Sequence, residues 1–168
     1  MSVALMTPDF YIIAYHKDYA LAVSELFHQA VQGIEHPSYS LAQINAWSSA
    51  PRSARHWHQR LSRSQSWLAV LKEQGTCIGF INVESGFREL GYIDSLYIDP
   101  AYQGLGVGSQ LIAKVITWGQ DARLSQLTLD ASYLSRPLFS KHGFVQQQKI
   151  YQIKSGQIIP SFQMSLEL

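Results

Sequence analysis

Gly104, Gly106 and Gly108 stand at alternate positions, followed by Ser109-Gln-Leu-Ile-Ala-Lys-Val-Ile-Thr-Trp-Gly-Gln120. Val107, Leu111 and Val115 fall on one stripe with Ile112 and Ile116 beside it, the period of a helix. Backbone N–H groups of a glycine loop converge on one point, and a helix N-terminus adds partial positive charge. The stretch therefore fits a phosphate or pyrophosphate. It is not a nucleoside-triphosphate loop, because no Gly-Lys-Ser/Thr follows to supply the lysine for the outer phosphates and the hydroxyl for Mg²⁺. Nor does it fit the dinucleotide fingerprint. Ser109 stands where the third glycine belongs, and five residues separate Ile98 from Gly104. Alternating glycines also make tight turns that bind nothing, and the residues alone leave that alternative open.

The elements that must position this loop follow from periodicity. Phe10–Tyr15 reads as a strand; Asp18 is expected to cap a helix over Tyr19–Val31, ended by Gly33. The loop Ile34–Tyr39 carries His36 and Tyr39, side chains suited to binding. Ser40-Leu-Ala-Gln43 is a capping-box pattern, so a second helix starts at Leu41 and is expected to run past Trp47 until Pro51 breaks it. Ser53 starts a third segment with Trp57 and Leu61 one turn apart. From Trp67 the period changes to two, giving strands over Trp67–Leu71, Thr76–Val83 and Tyr92–Ile98, with turns at Glu73-Gln-Gly75 and Ser85-Gly86 that favour antiparallel pairing. After the glycine loop and its helix come a strand over Gln126–Asp130, a short helix over Leu134–His142, and strands over Phe144–Ile153 and Ile158–Leu166, the last read as a sheet edge. The fold class is α/β (α+β): a mixed, mostly antiparallel sheet of seven strands flanked by helices, in one domain over residues 1–168.

Bulk properties narrow the function. With 168 residues, 46% hydrophobic and 15% charged, the chain has the balance of an ordinary globular domain with a full core. Its formal net charge of +1, without a basic run, argues against nucleic acid as a partner. The single Cys77 excludes an intramolecular disulfide and a cysteine-rich metal cluster, and reads as a buried thiol. His28, His56 and His58 form no known metal spacing, so no metal is expected. No signal peptide or membrane span is visible, which fits a cytoplasmic protein.

Gln103-Gly-Leu-Gly-Val-Gly108 resembles the Gln/Arg-x-x-Gly-x-Gly/Ala motif of the GNAT superfamily of N-acetyltransferases. Leu96-Tyr-Ile-Asp-Pro100 is similar to the family's fourth strand and its proline terminus, Phe139-Ser-Lys-His-Gly-Phe144 to its late helix and Gly-Phe corner, and Trp67–Gly79 to its hairpin of strands two and three. The resemblance runs over Phe10–Leu168 with the motifs in order. Ala46-Trp47 and Tyr92–Ile98 look most like a bacterial subgroup of small acetyltransferases.

The resemblance implies acetyl-CoA as co-substrate and direct transfer to an amine. It places the pyrophosphate on Gln103, Gly104, Leu105, Gly106, Val107, Gly108 and Ser109, and the pantetheine arm along the main chain of Leu96, Tyr97 and Ile98, with a backbone N–H near Ile98 polarising the carbonyl. A lysine-like amine costs about 4.6 kcal/mol to neutralise at pH 7, which a general base offsets. Where many relatives carry a glutamate this chain has Tyr92; Asp94, two residues on and so on the same face of the strand, is the base candidate. A structural carboxylate and an anchor for the substrate ammonium are open alternatives for Asp94.

Relatives commonly protonate the leaving thiolate with a tyrosine where this chain has Phe139, which has no proton to give. Ser132, at the position of a common asparagine, is a candidate to hydrogen-bond the pantetheine or a water, and Tyr133 a candidate to supply the phenol; Ser132 and Phe139 are also expected against the cofactor. Otherwise the proton comes from solvent or the amine. The resemblance puts the acceptor pocket among the first helices, where His36, Tyr39 and Trp47 join Asp94 as substrate-binding candidates, an aromatic setting suited to a cation. The expected acceptor is a small-molecule amine. A protein N-terminus or lysine, and an acyl-CoA-binding module without turnover, are the alternatives. Relatives often dimerise, so a homodimer is expected.

Overall fold

The computed structural model describes residues 7–86 and 89–168. The N-terminal stretch on which a leader was judged absent therefore lies partly outside the described residues. The elements follow the expected order: β1 (Phe10–Ala14), α1 (Ala20–Gln32), α2 (Leu41–Trp47), α3 (Ala54–Ser62), β2 (Gln65–Leu71), β3 (Cys77–Val83), β4 (Tyr92–Ile98), α4 (Val107–Asp121), β5 (Gln126–Ala131), α5 (Arg136–Lys141), β6 (Val145–Lys154) and β7 (Gln157–Glu167). The strands form one sheet in the order β1-β2-β3-β4-β5-β7-β6. Among the described residues only β4 and β5 pair parallel.

Local chemistry sets several boundaries. Ser40 Oγ accepts from the Gln43 N–H while Gln43 Oε1 accepts from the Ser40 N–H, closing the capping box on α2. Ser53 Oγ caps α3 through the His56 N–H. Three expectations need correction. Asp18 does not cap α1; it lies inside a short 3-10 turn, Lys17–Tyr19, whose entry is capped by His16. The helix α2 stops at Trp47, where Ser48 turns extended ahead of Pro51. And β7 is no edge: it lies between β5 and β6, so the exposed edges are β1 and β6.

The sheet separates two apolar layers. Trp67, Ala69, Ile81, Leu111, Ile112, Val115, Leu127 and Met164 pack on the α4 side. Val23, Leu26, Trp57, Leu61, Leu68, Val70 and Phe80 pack under α1 and α3. Cys77 belongs to this second layer, and burial pushes its thiol up to about 11, as expected of an inert buried cysteine. Trp57 is fully buried, 5.0 Å from the Phe27 ring centroid and 5.4 Å from that of Phe80. Trp57→Ala is expected to cost about 3–5 kcal/mol of stability, read as a lowered urea midpoint. A loss below about 1 kcal/mol would mean that α3 is not anchored by this ring.

Candidate active site

The sheet is incomplete beside β4. On one side β4 pairs with β3 along its length; on the other, only Tyr92 and Ile93 pair with β5, opposite Thr128 and Leu129. From Asp94 onward the two parallel strands separate. A β-bulge lies at the same place: Asn82 faces Ser95 and Val83 faces Ile93, so Asp94 has no partner of its own on β3. Bulges bend a strand and re-aim its side chains. Here the bend opens a seam.

The direction of the peptide groups along that seam follows from one bond. The Asp99 N–H donates to the Ile78 carbonyl at 2.9 Å. In an antiparallel ladder alternate residues point to alternate neighbours. Tyr97 and Ser95 therefore turn their peptide groups to β3, and Leu96 and Ile98 turn theirs into the seam. The side chain of Gln103 reaches back and donates from Nε2 to the Ile98 carbonyl at 3.2 Å, tying the loop to the strand end.

Beyond Ile98, Asp99 caps a 3-10 turn over Pro100–Tyr102, and the glycine loop leads into α4. Gly104 (φ +76°) and Gly106 (φ +86°) occupy the left-handed region. No atom lies within 4 Å of a Cβ built on either. Their bare faces look onto open space, which suits close approach of a ligand to the backbone. Gly108 has a different role, since a Cβ there would meet Leu138 Cδ2 at 2.8 Å. It lets α4 and α5 pack together. Ser109 Oγ lies 3.0 Å from His142 Nε2, and burial followed by the Lys141 charge holds His142 below the ordinary histidine value.

One cleft of about 940 Å³ joins these parts. It runs from Gly104, Gly106, Ser109 and Lys141 along Leu96–Ile98 to Asp94, Arg60, Trp47 and Lys154. At the Asp94 end, Arg60 donates from Nε (2.8 Å) and Nη2 (2.5 Å) to Asp94 Oδ2. Arg60 is itself placed over the Trp57 ring, 5.2 Å from the centroid. Trp47 Nε1–H donates to the Tyr97 hydroxyl at 3.1 Å. The Tyr92 hydroxyl donates to Asp130 Oδ2 at 2.9 Å. Burial raises both phenols, Tyr97 to about 12, and Tyr92 is raised further by Asp130. Both rings keep their protons at neutral pH.

Residues 35–168 match the acetyltransferase (GNAT) domain. The chain belongs to the GNAT acetyltransferase family. It is 36% identical over 127 residues to the uncharacterized N-acetyltransferase YafP of Escherichia coli strain K12, spanning 74% of this chain and 75% of that protein. The GCN5-related N-acetyltransferase of Rhodopseudomonas palustris superposes with a TM-score of 0.85 at 26% identity, over 98% of this chain and 99% of that one. The Salmonella typhimurium protein yncA, solved with acetyl-CoA, shares the fold at a TM-score of 0.71 and 18% identity, over 94% and 93% of the two chains. As a GNAT enzyme, the protein is an acyl-CoA-dependent N-acetyltransferase.

Within this acetyltransferase the cleft brings together most of the residues expected from sequence. Asp94, Leu96, Tyr97, Ile98, Gln103, Gly104, Gly106, Val107, Gly108, Ser109, Ser132, Phe139 and Trp47 line it. Leu105, His36, Tyr39 and Tyr133 are not among its lining residues. Tyr97 lines the cleft, but its peptide groups turn to β3, where it pairs with Phe80, so they do not face the seam as expected. His36 Nδ1 accepts from the Ser38 N–H at 3.1 Å, a loop-capping contact. Tyr39 is buried and its hydroxyl accepts from the Tyr133 N–H at 2.8 Å. The Tyr133 ring packs between His36 and Phe162, with Lys149 Nζ 3.2 Å from its hydroxyl. Ser132 Oγ accepts from the N–H groups of Leu134 and Ser135, fixing the turn before α5. Phe139 is buried against Phe144.

Sequence reasoning missed Arg60, Tyr92 with Asp130, Gln152 and Lys154. One signal for the last two was present: in Ile150-Tyr-Gln-Ile-Lys154 the polar Gln152 and Lys154 occupy the inward phase of the strand, while Tyr151 and Ile153 are exposed.

Proposed function

We propose that the acetyltransferase moves the acetyl group of acetyl-CoA directly to the primary amine of a small molecule. The seam beside Leu96 and Ile98 carries this reading: peptide groups without a strand partner run from Asp94 to the glycine loop, a track for the pantetheine arm. The amides of Gln103 to Ser109 hold the pyrophosphate, with Lys141 adding charge at that end. The Ile98 N–H polarises the thioester carbonyl. Asp94, its Oδ2 fixed by Arg60, receives the acceptor ammonium and takes a proton from it, directly or through water.

The neutral amine then attacks the carbonyl carbon, the C–S bond breaks, and the amide nitrogen sheds its second proton. Tyr97, held near 12, is a poor donor to a thiolate of ordinary pKa about 8.5. Phe139 is none. The thiolate therefore takes the proton released by the amine, by way of solvent. The same reading places the enzyme in the cytoplasm, where acetyl-CoA is at hand, and puts the homodimer contact on the β6 edge, where Val145, Tyr151 and Ile153 are exposed.

Thiol release from acetyl-CoA is expected with small primary amines, with one acetylated product per thiol. Phe139 favours one rival, a binding module without turnover. CoA binding by calorimetry with no release on any amine would establish that rival. Acetylation of peptides in preference to every small amine would transfer the reading to a protein acceptor.

A further inference from the structure

At the acceptor end of the cleft, Lys154 pairs with no carboxylate among the described residues. The ion pairs of the described residues are His16–Asp18, Arg60–Asp94 and Lys72–Asp9, and Lys154 is in none of them. Its ammonium donates no hydrogen bond among the described residues. It is half-buried, lines the cleft beside Arg60, Asp94 and Trp47, and sits 5.4 Å from the Trp47 ring centroid. Trp47 is itself fixed by its bond to Tyr97. The alternation of β6 then sets the direction of the side chain, because Gln152, two residues before, lines the same cleft.

The charges around Lys154 do not balance it. Arg60 and Arg52 act against its charge, and Asp94, already committed through Oδ2 to Arg60, is the one carboxylate acting for it. Burial, then Arg60, holds its ammonium below the ordinary lysine value. Taking a lysine out of water in such company is unfavourable unless an anion meets it there. The phosphates of CoA are not that anion. Asp94 and Ile98 are four residues apart on β4, roughly 13 Å along the strand, and the glycine loop lies beyond Ile98 with its own lysine, Lys141.

We infer that the acceptor carries an anionic group, a carboxylate or a phosphate, besides its amine, and that Lys154 pairs with that anion while Asp94 receives the ammonium. This rests on the reading that the β4 seam is the acetyl-transfer site. Recognition is then two-pointed: a carboxylate and an ammonium, one on β4 and one on β6, fix both ends of an amphoteric small molecule. Trp47, against Lys154, supplies an apolar wall of the same cleft.

The test uses matched acceptors with acetyl-CoA saturating: an α-amino acid against its amide, and an amino-sugar phosphate against the unphosphorylated amino sugar. In at least one pair kcat/KM is expected to be ~10-fold or more higher for the anionic member, the usual size of a charge-assisted contact. The pair that shows it names the source of the anion. In Lys154→Met that ratio is expected to fall toward about one, and in Lys154→Arg to stay within ~3-fold of the parent, a rescue that a merely structural lysine would not give. Preference for the neutral members, or a ratio unmoved in Lys154→Met, overturns the inference and leaves acetyl transfer standing. Release from no small amine, with CoA still bound, overturns the small-molecule reading and this inference with it.

Discussion

Glutamate in place of Gly106 is expected to lower the affinity for CoA by ~100-fold or more while the chain still folds. The fold survives because no atom lies within 4 Å of the added Cβ, so nothing in the core is displaced. The cost to the protein is the φ of +86°, which an L side chain adopts at about 1–3 kcal/mol. The ligand loses much more. A carboxylate then occupies the space above the first turn of α4, repels a pyrophosphate, and keeps it from the loop amides. Each charge-assisted bond to such amides contributes about 1.5–3 kcal/mol, so losing two removes about 3 kcal/mol or more. Calorimetry with CoA measures the affinity, and circular dichroism confirms the fold. Unchanged affinity would sink the glycine loop as the pyrophosphate site.

Asp94→Asn has the second large effect expected. It should lower kcat/KM about 100-fold at neutral pH, within the range for loss of a general base, and change CoA affinity less than ~3-fold. Asparagine keeps the shape and one acceptor for Arg60, so the bulge and α3 stay in place. It cannot accept the amine's proton, and it leaves the Arg60 charge uncompensated beside an incoming ammonium. The pH profile separates the roles of the carboxylate. If Asp94 is the base, raising the pH from 7 to 9 rescues the variant by ~10-fold or more, because more of an amine with pKa near 10.4 is then neutral in solution. A defect confined to KM makes Asp94 an anchor, and an unchanged rate removes it from the chemistry.

What the sequence disclosed was local. The capping box at Ser40 and Gln43, the cap at Ser53 and the strand Tyr92–Ile98 were read correctly because neighbouring residues determine them. The glycine loop carries its signature in six consecutive residues. The acceptor end is assembled from distant ones. Arg60 meets Asp94 across 34 positions, and Trp47 meets Tyr97 across 50. No periodicity encodes such meetings.

The misread position of β7 has the same origin. Alternation reports which faces of a strand are buried, not which strands flank it, and β7 inserts beside β5 because that side of β5 is open. The bulge at Asp94 was hidden too. Tyr92-Ile-Asp-Ser-Leu-Tyr-Ile98 reads as one unbroken strand, and only the pairing with Asn82 and Val83 reveals the extra residue.

The separation of β4 from β5 also bears on how the protein avoids sticking to itself. A sheet ordinarily has two raw edges, each a template for adding a foreign strand. This one has two further lips in its interior, flanking the seam. They face one another across a slot open at one end, with the paired Tyr92–Thr128 and Ile93–Leu129 closing the other. An approaching sheet cannot reach them, whereas a slim, flexible thread can. The geometry that leaves peptide groups free for a co-substrate thus hides them from every other strand-like partner, and selectivity for a narrow extended ligand comes from the backbone before any side chain takes part.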